Sequence, residues 1–231
     1  MSLDLAAADR AIARGRVLTL LALAGVVAVY VLALQFTPPE RLQGLAQKIF
    51  YLHVPAAWSG LMAFVLVGIT SALFLWLKEP RLDAFAEASA EVGLMFSVIM
   101  LTTGPIWGKP IWGTWWTWDA RLTFTLFEFL LFCGYFALRS AVREREERAK
   151  FSAVVGIMGM LLVPFIHLTV YLFNTTHPQP VVARVDGPAL PGVMLRTFLI
   201  SLGTFTLLYL GFVMQRYGIA IRTAHQEALD A

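Results

Sequence analysis

The stretch VLTLLALAGVVAVYVLALQF, residues 17–36, decides the class of fold to which this chain belongs. It runs for 20 residues without a charged side chain. A helix of that length rises far enough to cross the ~30 Å hydrocarbon core of a bilayer. The run is also longer than the apolar part of a cleaved signal peptide, so we predict a first transmembrane helix that the protein retains. Pro38 and Pro39 follow it and end the predicted helix.

Five further apolar runs follow, and the composition agrees with them. The chain is 58% hydrophobic and only 14% charged, with a mean hydropathy of +0.71, which excludes an ordinary soluble protein. Because a chain in lipid must satisfy its backbone hydrogen bonds internally, and the alternation of a membrane barrel is absent, we predict an all-α integral membrane protein with six transmembrane helices. We predict one membrane domain, residues 1–231, with spans at residues 17–36, 56–77, 88–107, 122–138, 151–173 and 194–217.

The basic residues predict how the chain is oriented in the membrane. Twelve of the 18 Lys and Arg side chains fall in the amino terminus, in the loops after spans two and four, and in the tail. The positive-inside rule then predicts that both termini are cytoplasmic and that the segment between helices three and four lies on the outer face. A net charge of +3, distributed in this way, gives no reason to expect nucleic acid binding. Cys133 is the single cysteine, which excludes a disulfide framework and a CxxC motif.

That outer segment is unusually rich in tryptophan. Residues 112–118 read WGTWWTW and hold four of the seven tryptophans, and Asp119 follows them. In a helix, Trp112, Trp115, Trp116 and Asp119 share one face, whereas in an extended chain Trp116 and Trp118 share a face with Thr114 and Ala120. Either arrangement offers an apolar platform for a large planar ligand. The alternative is an aromatic belt at the level of the lipid headgroups.

Two histidines are predicted on the same face as the tryptophans. His53 lies in YLHVPAA, just ahead of Pro55, which suits the first turn of helix two. His177 lies in NTTHP, where Pro178 prevents helix five from continuing. Neutral imidazole is a common ligand of haem iron, and two imidazoles form a six-coordinate site that holds or passes on haem without activating oxygen.

Several motifs resemble those of a known family. The string WGTWWTWDARLT at 112–123, with WGKP at 107–110, resembles the tryptophan-rich WWD signature of the haem-handling proteins of cytochrome c biogenesis. YLHVPAA at 51–57, PFIH at 164–167 and NTTH at 174–177 occur in the order seen in the CcmC family of System I cytochrome c maturation. The resemblance covers the whole chain. It departs at Leu172-Phe173, where the family tends to have paired tryptophans, and at Pro178, where a Gln is usual.

The resemblance implies a function and a set of site residues. It implies that haem b is held at the outer, periplasmic face of the bacterial inner membrane and is delivered to the haem chaperone CcmE, which attaches it through its own histidine. The implied assembly includes the ABC-type subunits CcmA and CcmB and the small CcmD. Because the implied bond-forming histidine belongs to CcmE, the resemblance implies that the chain delivers haem, and we do not expect it to be an enzyme. The implied axial ligands are His53 and His177, and the implied haem platform consists of Trp112, Trp115, Trp116, Trp118 and Asp119.

Other charged residues leave alternatives open. Haem propionates need cationic partners, so we hypothesise that one or more of Arg121, Lys109 and Arg184 receives one. Inside the predicted spans, the roles of Glu91, Glu128 and His167 stay open between helix packing and a polar path. The alternative functions are a haem-translocating permease subunit of an ABC-type complex and a cytochrome c haem lyase of the CcsA or CcmF type, which is usually longer with more spans.

Overall fold

Six long helices make up the part of the chain that the structure, a computed structural model, describes: residues 5–230, without the side chains of Ala228 and Asp230. Each is long and apolar enough to cross a membrane, and no strand occurs within residues 5–230, so the predicted all-α membrane fold is confirmed. The helices are α1 (Leu5–Val31), which continues through a π-helical turn at Leu32–Phe36, α2 (Phe50–Leu77), α3 (Pro80–Trp112), α4 (Ala120–Ala141), α5 (Arg145–Leu172) and α6 (Gly192–Asp230).

Several helices extend beyond the predicted spans. Helix α3 continues to Trp112, and α6 continues to Asp230. The basic stretch 139–150, which is predicted to lie between spans, is mostly helical and is broken only at residues 142–144. The Glu144 carboxylate starts α5 there by accepting hydrogen bonds from the N–H groups of Glu146 and Glu147.

Helices α1 and α6 pack against each other in antiparallel fashion through small residues. A Cβ atom on Gly15 would lie 2.7 Å from the Gly211 carbonyl oxygen, and one on Gly218 would lie 2.7 Å from the Ala8 carbonyl oxygen. Only glycine permits such a close approach of two backbones. The beginning of α1 therefore lies beside the end of α6.

Aromatic and small side chains pack helices α2, α4 and α5 together. The Phe64 ring of α2 is stacked on the Phe132 ring of α4, with centroids 3.8 Å apart. Gly159 of α5 lies against Phe132, and Gly156 lies against Ser71 of α2. These contacts make the middle of the bundle rigid, because interlocked side chains have few alternative arrangements.

The antiparallel order of the helices gives the bundle two distinct ends. We call the end that carries residues 37–49, 113–119 and 173–191 the site end, because it brings together the two histidines and the tryptophan-rich segment. The opposite, terminal end carries the start of α1 and the end of α6, where Arg222 pairs with Asp9 at 3.0 Å. The same-side placement of the termini agrees with six spans. That the terminal end faces the cytoplasm remains a prediction from the basic residues.

The three ionisable residues whose roles the sequence left open lie in three different environments. Glu91 forms an ion pair with Arg216 at 2.7 Å, and both side chains are about half exposed. Glu128 is buried, and neither of its carboxyl oxygens has a hydrogen-bond partner among the residues that the structure describes. His167 is exposed on α5, with Nδ1 3.2 Å from the Val163 carbonyl oxygen. Because these side chains do not share one surface, they give no support to a continuous polar path.

Candidate binding site

His53 lies inside helix α2 and not in the loop ahead of it, which corrects the sequence prediction. A short 3-10 helix, Leu45–Ile49, leads directly into α2 at Phe50, so Pro55 falls within the helix. Proline has no N–H group and leaves the carbonyl of Tyr51 without its helical partner. The Ser201 hydroxyl of α6 donates to that carbonyl at 2.5 Å. His53 is therefore held on a rigid helix.

The contacts of the His53 ring define which nitrogen is free. Nδ1 lies 3.0 Å from the Thr103 hydroxyl oxygen, and that hydroxyl donates its own hydrogen to the Ile99 carbonyl at 2.7 Å. We therefore assign the hydrogen to Nδ1 of His53, with Thr103 accepting from it, which leaves Nε2 with a lone pair. The ring also packs edge-on against Trp107, with centroids 5.7 Å apart. A Cβ on Gly104 would lie 3.2 Å from His53 Cε1, so glycine makes room for the ring.

His177 lies beyond the end of α5, as predicted, in the irregular connection 173–191. Its Nδ1 is 2.8 Å from the Pro178 carbonyl oxygen, which can only accept, so Nδ1 carries the hydrogen and Nε2 is free. Desolvation is the main cause that lowers the pKa of His177 to about 3, and the positive charge of Arg121 lowers this pKa further. His177 is therefore a neutral imidazole at physiological pH.

The Asp119 carboxylate joins the tryptophan-rich segment to the loop that carries His177. Its Oδ1 accepts from the Leu122 N–H at 3.1 Å and caps helix α4. Its Oδ2 accepts from the Thr176 N–H at 3.1 Å, the Thr176 hydroxyl at 2.7 Å and the Thr117 hydroxyl at 3.0 Å. Desolvation favours a higher pKa for Asp119, but these hydrogen bonds outweigh it and lower the pKa below its usual value. We call the contacts of Asp119 with Thr117 and Thr176 the Asp119 clasp.

Arg121 carries a positive charge that acts on both histidines. It lies in the first turn of α4, where Nη1 donates to the Ile166 carbonyl at 3.3 Å. Its charge acts on both His53 and His177, and the two histidines act on each other. The structure therefore brings these three side chains into one region at the site end. A cleft of about 510 Å³ opens at the same end of the bundle, and its lining includes His177 but neither His53 nor Arg121. It is lined by Asp119, Val170, Phe173, Asn174, Thr175, Thr176, His177 and Gln179.

The tryptophan-rich segment is neither a helix nor an extended strand. Trp112 is the last residue of α3, and Gly113 ends the helix with a left-handed φ of 75°, a conformation that glycine adopts without strain. Residues 113–119 are irregular, and α4 begins at Ala120. Neither of the two face patterns considered for the sequence therefore applies along the whole segment.

The four indole rings differ in exposure and do not lie in one plane. Trp115 and Trp118 are 58% and 76% exposed, so their rings are open to a ligand, a partner or lipid. Trp116 and Trp118 pack edge to face, with centroids 5.9 Å apart and an interplanar angle of 74°. Trp112 packs back over Gly108 of its own helix. Trp116 carries a buried Nε1–H that lacks a hydrogen-bond partner within the described part of the chain, which leaves an unused donor in this segment.

The other two cations considered for a propionate have different roles in the structure. Lys109 donates from Nζ to the Gly113 carbonyl at 2.8 Å and lies over the Trp115 ring, so it braces the turn after α3. Arg184 lies 3.8 Å from Asp186 within the connection 173–191. Of the three, Arg121 is the one whose charge acts on both histidines.

Sequence reasoning missed several residues that build the site. Thr103 and Trp107, one helical turn apart on α3, both contact the His53 ring. Trp107 Nε1 also donates to the Gln43 side chain at 3.0 Å and fixes the connection after α1. A polar Thr103 within an apolar run was a usable signal. Thr176 gave none, because it contacts Asp119 across 57 positions of sequence.

The donor set does not suit a bare metal ion. Among residues 5–230, no group of three or more His, Cys, Asp or Glu side chains is placed to hold one. The site instead offers two neutral imidazoles, several indole rings and one guanidinium.

A comparison with known protein families identifies the family of this chain. Residues 4–230 match the family model CcmC, described as heme exporter protein C. The chain therefore belongs to the CcmC family. Its relatives include heme exporter protein C of Bradyrhizobium diazoefficiens, 37% identical over 90% of this chain and 80% of the relative. The heme exporter protein C of Haemophilus influenzae is 37% identical over 85% of this chain and 79% of the relative. A putative cytochrome c biosynthesis ccmC-like mitochondrial protein of Marchantia polymorpha is 33% identical over 82% of this chain and 80% of the relative. The family resemblance drawn from the motifs is thus confirmed.

Proposed function

We propose that this CcmC-family chain binds haem at the site end, with His53 and His177 as axial ligands, and delivers it to a partner in cytochrome c maturation. The observation that carries the proposal is the state of the two imidazoles. Each hydrogen-bonds through Nδ1 to an oxygen that accepts, and each keeps Nε2 free. A hydrogen-bonded Nδ1 orients the ring and raises the basicity of Nε2, which is the arrangement that a metal-ligating histidine uses.

The surroundings of the histidines suit the remainder of a haem molecule. A porphyrin needs apolar contacts for its faces and polar partners for its propionates. Trp107 packs beside His53, and the exposed rings of Trp115 and Trp118 add apolar surface at the same end. Arg121 is the cation best placed for a propionate, and the unpaired Nε1–H of Trp116 is a further donor.

The same features favour delivery over chemistry on the haem. Two imidazoles fill both axial positions of the iron and leave no position for oxygen, so the haem is held as cargo. The cleft that His177 lines opens at the surface of the bundle, where a partner can reach the cargo. The proposed recipient is a CcmE-type chaperone, whose own histidine forms the covalent bond, and CcmA-, CcmB- and CcmD-type subunits complete the complex. The proposed location is the bacterial inner membrane with the site facing the periplasm, and the proposed cargo is haem b.

The absorption spectrum of the purified protein tests the ligand set. We expect the wild type to carry a low-spin, six-coordinate haem and the His53→Ala and His177→Ala variants to lose that spectrum. His167→Ala is the matched control, because His167 is exposed on α5 and does not line the cleft, so its loss should leave the spectrum unchanged. A low-spin spectrum that survives both substitutions would show that other residues ligate the iron.

The delivery step is tested by co-expression with a CcmE-type chaperone and with the remaining subunits. We expect covalently haem-loaded chaperone with the wild-type chain and little with either histidine variant, while the variant chain still purifies with its partners. A histidine variant that loads the chaperone as the wild type does would contradict delivery from this site. A colourless wild-type complex would show that the chain is a scaffold.

A further inference from the structure

A second cavity lies at the terminal end of the bundle, far from the histidines. Its volume is about 430 Å³, and it opens between α4 and α6 with α3 beneath. Arginines from four helices line it: Arg81 of α3, Arg139 of α4, Arg145 and Arg148 of α5, and Arg216 of α6. Nothing in the proposed haem function uses this cavity.

Most of the charge deep in the cavity is already neutralised. Helix α3 presents Asp83, Glu87 and Glu91 one turn apart. Arg139, which is almost fully buried, binds Asp83 at 2.7 Å and Glu87 at 2.7 Å. Arg216 binds Glu91 at 2.7 Å from the other side. These ion pairs tie α4 and α6 to α3 and form the inner wall of the cavity.

The charge that remains is mainly positive. Neither Arg145 nor Arg148 forms an ion pair with any residue that the structure describes. The charge of Arg148 acts on the Glu144 carboxylate, but that carboxylate already accepts the two backbone hydrogen bonds that cap α5. Glu227 lines the cavity without an ion pair in the described part of the chain, and Arg81 is only loosely paired, at 3.9 Å from Glu79. Among the lining residues, the two guanidinium groups without an ion pair, those of Arg145 and Arg148, thus outnumber the one carboxylate without an ion pair, that of Glu227.

The cavity also has an apolar side that continues toward the membrane centre. Phe136, Ile219 and Ile221 line it beside the charged groups. On α3, the face that carries Glu91 continues through Met95 and Val98, which are 37% and 50% exposed. A ligand that fits both parts must join an anionic group to hydrocarbon.

We propose that this cavity binds an anionic phospholipid, with its headgroup phosphate at Arg145 and Arg148 and its acyl chains along Met95 and Val98. Guanidinium groups bind phosphate through paired, charge-assisted hydrogen bonds. Basic pockets between transmembrane helices are the usual binding sites of such headgroups. The bound lipid bridges α5 to the α3, α4 and α6 wall and so stabilises the terminal end of the bundle. A zwitterionic lipid binds less well, because its own cation is repelled by the same arginines.

Thermal unfolding of the full-length chain, purified in a neutral detergent, tests the proposal. We expect phosphatidylglycerol to raise the melting temperature by at least ~3 °C, because a ligand that binds only the folded state stabilises it. Phosphatidylcholine should give less than about a third of that rise, and inorganic phosphate should give none. The Arg145→Gln/Arg148→Gln variant should lose the rise and weaken the apparent affinity by at least ~10-fold. Arg143→Gln is the matched control, because Arg143 is exposed in the same region but does not line the cavity.

Two further variants sharpen the result. Arg145→Lys/Arg148→Lys keeps the charge but not the paired guanidinium hydrogen bonds, so it should retain part of the rise, which separates loss of the site from loss of folding. Glu227→Gln removes the unpaired carboxylate and should tighten phosphatidylglycerol binding. An equal rise with phosphatidylcholine, or an undiminished rise in the Arg145→Gln/Arg148→Gln variant, would overturn the proposal. A rise with inorganic phosphate alone would assign the cavity to free anions. Loss of a co-purifying subunit without any change in the lipid response would make it a protein interface.

Discussion

Replacing Asp119 with Asn isolates the contribution of the Asp119 clasp to the position of His177. Asn caps helices as well as Asp does, and its oxygen can still accept from the Leu122 N–H, so α4 should remain intact. The amide nitrogen that takes the place of Oδ2 cannot accept. The hydrogen bond from the Thr176 N–H is therefore lost, and the Thr176 and Thr117 hydroxyls keep contact only by accepting from the neutral amide instead of donating to a carboxylate.

The magnitude follows from the number and exposure of those bonds. A hydrogen bond to a charged acceptor contributes roughly 1.5–3 kcal/mol when buried, and partial exposure reduces this to about 1 kcal/mol per bond here. Loss of one bond and of the charge assistance of the other two costs about 2 kcal/mol in the ordering of the His177 loop, which is a factor of roughly 30. We therefore expect Asp119→Asn to weaken haem binding by about 10- to 100-fold. Thr176→Val removes the hydroxyl but keeps the N–H, so it should weaken binding only about 5-fold.

Titration of the apo-protein with haem, followed by absorbance and electron paramagnetic resonance, measures these effects. The spectra report whether the second axial imidazole is retained, which a general loss of stability would not change selectively. Thr114→Val is the matched control, because the Thr114 hydroxyl donates to the Trp116 carbonyl within the same segment and does not reach the His177 loop. If Asp119→Asn binds haem as tightly as Thr114→Val, with the same low-spin signal, the clasp does not position His177.

Three further predictions concern the two histidines and the buried Glu128. Gly104→Ala places a Cβ 3.2 Å from His53 Cε1, so it should shift the low-spin absorption bands and weaken haem binding a few-fold. Gly134→Ala, whose added Cβ meets open space, should change neither the bands nor haem binding. The folded-state pKa of His177, about 3, lies below its ordinary value of 6.5, so acid protonates this histidine first in the unfolded chain. The melting temperature of the apo-protein should therefore fall as pH drops below about 6.5, and it should fall less steeply in His177→Gln. Equal slopes for the two proteins would contradict this prediction. None of the described residues 5–230 hydrogen-bonds to the Glu128 carboxyl group. Circular dichroism should therefore show Glu128→Gln melting within a few degrees of the wild type, whereas Glu128→Ala should lose roughly 2–4 kcal/mol.

The sequence predicts the architecture well because lipid leaves few alternatives. A run of apolar residues long enough to cross the bilayer must be helical, so the number and order of the helices follow directly. Helix ends are less predictable, since they depend on contacts outside the hydrocarbon. Helix α6 continues to Asp230 alongside α1, where Arg222 pairs with Asp9. This ion pair cannot be predicted from the hydropathy of the sequence.

The position of His53 shows how a local rule fails when a distant residue compensates. Proline normally marks the first turn of a helix, so the sequence placed His53 ahead of α2. In the structure the carbonyl freed by Pro55 accepts a hydrogen bond from Ser201, which lies on the last helix. The helix can then begin earlier and include His53. Only the tertiary structure reveals that partner.

The residue types that meet at the candidate site were predictable, but the contacts that support them were not. The imidazoles, the indoles and Arg121 could be named from their motifs and their predicted common face. Thr176 could not, because an exposed threonine in a loop gives no sign that a carboxylate binds it. The perpendicular rings of Trp116 and Trp118 were equally hidden, since the segment follows neither helical nor extended geometry.

The two histidines are held in different ways, and the proposed delivery of haem depends on that difference. His53 is fixed on α2 by Thr103, Trp107 and the close approach of Gly104, so moving its ring requires the helix packing to change. His177 sits on a loop that the Asp119 clasp ties down through hydrogen bonds at the surface. Surface hydrogen bonds open far more easily than packed helices. A haem held between one rigid and one releasable ligand can be bound in a defined orientation and still be given up on the side of His177, where the cleft is open.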